Sequence, residues 1–185
     1  MDFDTVVQSR RSIRFYKKSV LSQGEVTKDV ESILQFVGEN SPSWKNSQTH
    51  RYFACIEKEK YEGVKACLLS KNPERAQNCD CLIVSCFEKD VAGFSEVNGE
   101  KIADNECGNE WGAYDLGLSD AILVLKACDL GYDTLIMGIR DGEKLRNTLQ
   151  IPQNFSVMSV IALGKRSKDA IKPKRKALSE FAKIF

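Results

Sequence analysis

Apolar positions along the chain recur with helical spacing in some stretches and as unbroken runs in others, and the switches between them outline the elements. Phe3, Val6 and Val7 follow Asp2 and Asp4, either of which can cap a first helix. Ser22-Gln23-Gly24-Glu25 fits a capping box, and Val26, Val30, Ile33, Leu34 and Val37 then fall at helical spacing up to Gly38. Arg51 to Ile56 reads as a strand and Lys58 to Leu69 as a helix. Cys81 to Phe87 is an unbroken apolar run of strand length, which predicts a buried strand. Trp111 to Leu130 is apolar almost all round, so it predicts a central rather than a surface-lying helix, stopped by Gly131. Tyr132 to Met137 reads as a short strand. Asp141 caps a short helix running to Ile151-Pro152, and Phe155 to Leu163 is a further apolar strand. Residues 88–109 are polar and yield no element. Helices and short strands interleave around one buried helix, which is an α+β pattern.

The 185 residues suit one domain, 1–185, with a sizeable core. Net charge is only +1, but it is unevenly spread. From Lys165 to Phe185 there are eight basic residues against two acidic, so this arm carries +6 and the rest of the chain −5. No apolar run approaches a bilayer-spanning length, and Met1-Asp2-Phe3-Asp4 lacks the basic-then-apolar pattern of a signal peptide. Both features point to the cytoplasm and away from a membrane. The seven cysteines agree, being odd in number and set mostly inside apolar runs. Cys79, Cys81 and Cys86 lack the two-residue spacing of a zinc site and read as buried thiols.

Charge then singles out one stretch. Arg10-Arg11-Ser12-Ile13-Arg14 sets three guanidinium groups within five residues, and no acid occurs between Asp4 and Glu25. Guanidinium presents a planar fork of donors that matches phosphate oxygens. A second stretch, Ser41 to Gln48, is a loop of turn-forming residues around Trp44, of the kind that commonly carries function. Catalytic constellations are otherwise thin. His50 is the sole histidine and has no nucleophile elbow near it, and there is no dinucleotide or P-loop glycine motif. Any chemistry is therefore expected from a cofactor, with the protein supplying orientation and electrostatics.

These pieces, in order, resemble the FMN-dependent nitroreductase family. The shared features are Arg10 to Arg14, Ser41-Pro42-Ser43 with Asn46-Ser47-Gln48, and Asn72 and Arg75 before an apolar strand. They continue with Trp111 before Asp115, Leu130-Gly131-Tyr132, Met137-Gly138-Ile139, and Lys174-Arg175 after the last strand. The resemblance implies a central mixed or antiparallel β-sheet flanked by helices, and a homodimer with exchanged C-terminal arms and two FMN sites at its interface. It assigns Arg10, Arg11, Ser12 and Arg14 to the flavin or its phosphate, with Lys174 and Arg175 closing on the phosphate. Pro42, Ser43, Trp44 and Asn46 would come from the other subunit. Asn72 and Arg75 would hold ring oxygens, and Met137, Gly138 and Ile139 would approach the reactive edge.

The activity so implied is ping-pong hydride transfer from NAD(P)H to a nitroaromatic, quinone or related acceptor. Three departures stand out: Thr49-His50 where the family usually has Pro-Trp, Gly138-Ile139 where many members have Glu-Gly, and a short segment between Phe87 and Trp111. Trp44 would either wall the pocket or pack on its own subunit. Two other readings remain open. One is a flavin-binding relative without nicotinamide turnover, dehalogenase-like or flavin-cleaving. The other is a non-enzymatic dimer whose basic arm binds nucleic acid, although the arm lacks aromatics before Phe181.

Overall fold

A computed structural model describes residues 1–185. Asp2, not Asp4, caps α1 (Phe3–Ser9) by accepting the Thr5 N–H. α2 (Gln23–Asn40) opens with the expected box, Ser22 Oγ taking the Glu25 N–H and Glu25 Oε2 taking the Ser22 N–H. Next come a 3-10 turn at Trp44–Asn46, β1 (His50–Cys55), α3 (Lys58–Lys65) and α4 (Asn72–Arg75). Strands β2 (Cys81–Glu88), β3 (Phe94–Val97) and β4 (Glu100–Ala103) precede the long α5 (Glu110–Asp129). The chain closes with β5 (Asp133–Met137), α6 (Gly142–Leu149), β6 (Phe155–Gly164) and the short α7 (Leu178–Phe181).

Four strands form one sheet in the order β1-β2-β6-β5, each neighbouring pair antiparallel. The unbroken apolar run of β2 is explained by its place inside this sheet. Leu82, Val84 and Cys86 face one core with α3 and α6, while Cys81 and Ile83 face another with α2 and α5. On the outer side of β5, Ser12 makes a single parallel bridge to Thr134, and the Ile13 N–H donates to Thr134 O at 3.0 Å. The arginine stretch is therefore stitched to the sheet edge.

Three expectations change. α3 ends at Lys65 rather than Leu69, because Cys67 to Leu69 spend their backbone groups on the turn after β5. Leu69 N–H donates to Ile139 O, and Asp141 N–H donates to Cys67 O. The unplaced residues 88–109 contain the hairpin β3–β4, whose Asn98-Gly99 turn has positive φ at both residues (53° and 83°). That pair is a strong hairpin signal in the sequence itself.

α5 is not buried all round. Its buried residues are Gly112, Asp115, Leu116, Ser119, Asp120, Leu123, Val124, Ala127 and Cys128, spaced as one face. Apolar Leu118, Ala121, Ile122 and Leu125 lie on the other side, only partly covered or exposed. Three polar residues thus face inward while aliphatic ones face outward. Gly112 lets the helix approach β2 closely, since a Cβ there would sit 2.3 Å from the Phe87 ring.

Candidate functional site

The arginine stretch leaves the end of α1 with Ile13 and Tyr16 buried as anchors, which turns the intervening side chains outward. Tyr16 Oη donates to Ile13 O at 3.1 Å, reinforcing the turn. The C-terminal arm then folds back beside it. Arg166 grips Asp133, its backbone N–H and Nε donating to the two carboxylate oxygens at 2.8 and 2.9 Å. Ser167 N–H donates to Phe15 O, which directs the following residues along the same edge.

The product is a cleft of about 290 Å³ lined by Arg10, Arg11, Ser12, Arg14, Ala170, Ile171, Pro173 and Arg175. No acidic residue lines it, and none of its four guanidinium groups is in an ion pair. Four uncompensated cations converging on a concave surface constitute an anion site. Of the two tail residues assigned to the phosphate, Arg175 lines the cleft and Lys174 is exposed outside it.

From Thr134, beside Ser12, the edge strand runs four residues to Gly138, about 13 Å at the usual strand rise. Met137 is buried, whereas Gly138 and Ile139 are exposed, and a Cβ on Gly138 would meet nothing within 4 Å. Asn72 is buried and braces this turn, Nδ2 donating to Ile139 O at 3.0 Å and Oδ1 accepting from Arg75 Nη1 at 3.2 Å. Arg10, Ser12, Arg14, Arg175, Gly138, Ile139, Asn72 and Arg75 are thereby arranged along or beside one sheet edge.

The 41–48 loop is elsewhere and contributes nothing to that cleft. Lys45, Asn46 and Gln48 all have positive φ (48°, 55° and 48°). Such conformations cost about 1–3 kcal/mol each and persist only where the surroundings hold them. Trp44 N–H donates to Asp115 Oδ2 at 2.8 Å, Gln48 N–H to Ser43 Oγ at 3.0 Å, and Gln48 Nε2 to Asn46 Oδ1 at 3.3 Å. Pro42 is exposed. Ser41 Oγ, Trp44 Nε1, Ser47 Oγ and Thr49 Oγ1 are buried without a hydrogen-bond partner, a cluster of orphaned polar atoms in nine consecutive residues.

Trp44 is half-buried, its ring 4.6 Å from Trp111, which in turn meets Tyr114 edge-on at 5.6 Å. In the single chain it packs on its own subunit. His50 Nδ1 lies 3.4 Å from Ser119 Oγ, and its pKa is lowered by burial first and by Arg51 second. Burial raises Asp115 despite the Trp44 N–H that it accepts. One turn further along α5, Asp120 accepts from Tyr52 Oη at 3.0 Å and from Ser85 Oγ at 2.9 Å. Burial still carries its pKa up to about 6. The inward-facing acids of α5 were not legible as site residues, the only hint being carboxylates interrupting an otherwise apolar run.

An α+β chain with an antiparallel four-stranded sheet, a half-buried long helix and an arginine cleft at the sheet edge is thus defined. The chain belongs to the nitroreductase family, whose model matches residues 7–165. Solved structures agree on the fold. A nitroreductase family protein from Streptococcus pneumoniae TIGR4 is 18% identical with TM-score 0.82 and full coverage of both chains. One from Clostridium difficile 630 is 20% identical with TM-score 0.76, covering 99% of this chain and 98% of the other. An oxidoreductase containing FMN is 22% identical with TM-score 0.79, covering 98% and 91%. No curated protein matches the sequence. No helix is long and apolar enough to cross a membrane.

Proposed function

We propose that the protein is an FMN-dependent oxidoreductase that takes hydride from NAD(P)H and passes it to a nitroaromatic, quinone or related acceptor. The observation that carries this reading is the acid-free cleft where Arg175 returns to Arg10, Arg11, Ser12 and Arg14. A dianionic phosphate suits four guanidinium groups, and charge-assisted bonds of this kind are about twice as strong as neutral ones. FMN, when bound, supplies the hydride chemistry. The chain's own residues do the rest. The cleft would hold the phosphate end, and the open backbone at Gly138 and Ile139 would leave room for the ring edge. Arg75, steadied by Asn72, would offer donors to ring oxygens.

The working unit in this reading is a homodimer of single-domain subunits. On the outer side of α5, Leu118 and Ala121 are incompletely covered, and Ile122 and Leu125 line an apolar cavity of about 440 Å³ with Met1, Phe3 and Phe36. In the arm, Leu178, Phe181, Ile184 and Phe185 are all exposed. Apolar surface of this extent favours a second copy. That copy's 41–48 loop, with Pro42, Ser43, Trp44 and Asn46, would complete the flavin site, and its run of left-handed residues at Lys45, Asn46 and Gln48 is compatible with a loop held for function. Arg175 lining the cleft also favours a cofactor over nucleic acid as the partner of the basic arm. Six of the seven cysteines are buried free thiols, which supports a reducing, cytoplasmic setting.

The test is the visible spectrum of the purified protein, then its bleaching by each nicotinamide, then steady-state rates with a nitroaromatic and a quinone. One pocket serving two substrates in turn gives parallel double-reciprocal lines. A colourless protein, or flavin that neither nicotinamide bleaches, would defeat the proposal.

A further inference from the structure

Two adjacent residues of β5 hold the two walls of the arginine cleft. Thr134 holds the first: Ser12 bridges it, and the Ile13 N–H donates to its carbonyl at 3.0 Å. Asp133 holds the second, the arm. Its Oδ2 accepts the Arg166 backbone N–H at 2.8 Å, and its Oδ1 accepts Arg166 Nε at 2.9 Å together with Nη2. Only 11% of the Asp133 side chain is exposed, so these are charge-assisted bonds largely out of water. One carboxylate thus fixes both the backbone and the guanidinium of Arg166, which sets the direction in which the chain leaves β6.

That direction matters because little holds the arm afterwards. Ser167 N–H donates to Phe15 O at 3.0 Å, and no backbone group of residues 168–176 is hydrogen-bonded within the chain. Lys168 Nζ lies 5.1 Å over the Phe15 ring, and Ala170 rests against the core. The one ion pair further on, Arg166 with Asp169, leaves 91% of the Asp169 side chain exposed, and such pairs contribute little. Yet this stretch supplies Ala170, Ile171, Pro173 and Arg175 to the cleft. Arg175 lies eight residues beyond Ser167, up to about 29 Å of chain, so a small turn at Arg166 becomes a large displacement of its guanidinium.

Resting on the reading that the cleft holds the FMN phosphate, we propose that Asp133 is a positioning residue for that phosphate. Through Arg166 it delivers Arg175 to the anion, and so makes the site prefer FMN to riboflavin, the same ring system without a phosphate. Asp133 itself does not line the cleft, and its charge is spent on Arg166. Its effect on the anion is therefore geometric.

The experiment titrates the full-length wild type and variants with FMN and with riboflavin, each followed by quenching of flavin fluorescence. The variants are Asp133→Asn, Arg166→Gln, Arg175→Ala and the pair Asp133→Asn with Arg175→Ala, with Asp169→Asn as a control on the exposed partner. Asp133→Asn and Arg166→Gln change the net charge in opposite directions. Both should nevertheless lower the preference for FMN over riboflavin by about tenfold, the low end for one charge-assisted hydrogen bond lost. Riboflavin affinity should stay as in the wild type, which also reports an intact fold. Once Arg175 is Ala, Asp133→Asn should cost nothing more, and Asp169→Asn should behave as wild type. Opposite shifts of FMN affinity in the two variants would assign the effect to long-range charge and overturn the proposal. Equal losses of both flavins would overturn it too, as would a full further loss in the double variant. A wild type that binds neither flavin, or binds both equally, would instead bring down the reading of the cleft as the FMN phosphate site.

Discussion

The arginine cleft and the Trp44 loop contrast in how complete they are. Within one chain the cleft is finished: Arg166 clamps onto Asp133, the arm turns back, and Arg175 joins Arg10 and Arg14 with no carboxylate to neutralise them. The loop is unfinished. It carries three left-handed non-glycine residues and four orphaned buried polar atoms, and its one strong anchor is the Asp115 carboxylate. The difference teaches where each site draws its energy. A cleft of like charges is already expensive and needs only an anion, whereas a strained loop with Pro42, Lys45, Asn46 and Gln48 exposed gains from a surface that covers it. The first is a property of the subunit; the second is where the proposed dimer is to be tested.

The sharpest way to break the contrast is on the cleft side. Arg10→Ala with Arg14→Ala removes two charge-assisted bonds of about 1.5–3 kcal/mol each, so flavin affinity should fall by roughly two to four orders of magnitude. Titration of the folded double variant with FMN measures it, and unchanged affinity would relocate the anion site. Truncation after Arg175 keeps the cleft and removes the exposed apolar arm. Dimerisation followed by sedimentation should weaken by about a hundredfold if even part of the burial worth about 1.5–3 kcal/mol per large apolar side chain is realised. Wild-type sedimentation of the truncated chain would leave the arm with no role in assembly.

On α5, beyond the loop's Asp115 anchor, Asp120 carries a pH dependence. Its folded pKa of about 6 exceeds the ordinary 3.8, so the fold favours the neutral acid. That stability is fully present below about pH 4 and is lost as pH rises through 6, a difference of about 3 kcal/mol. Asp120→Asn should abolish this slope in urea melts between pH 4 and 7. An identical slope in the variant would assign it to another group. The smallest effect is expected where the two regions would meet. A Cβ on Gly138 would meet nothing within 4 Å, so in Gly138→Val the fold and FMN affinity should be nearly unchanged while turnover falls about tenfold, or about 1.4 kcal/mol. Equal losses in binding and turnover would remove Gly138 from the reacting edge.

What the chain reveals by itself and what it conceals divide along the range of the forces. The Ser22 capping box, the Asp141 cap, an acidic cap on α1, the burial of β2 and the bare cationic stretch at Arg10 to Arg14 were all legible, because each rests on hydrogen bonds, periodicity or charge within a few residues. Even the hairpin at Asn98-Gly99 was written locally, though its polar surroundings hid it. The family resemblance added an order of pieces but no distances. Tertiary structure decided which face of α5 turns inward, since an apolar helix offers no periodic signal to choose, and packing against the sheet buried Asp115, Ser119 and Asp120 in preference to Leu118 and Leu125. It also decided that Arg175 rather than Lys174 reaches the cluster, and that Trp44 meets Trp111. Those contacts join residues more than sixty positions apart, and nothing local encodes them: the strand order leaves β5 at the edge, where Ser12 bridges Thr134 and the arm that leaves β6 returns beside it, while Trp44 is brought to Trp111 by packing on α5.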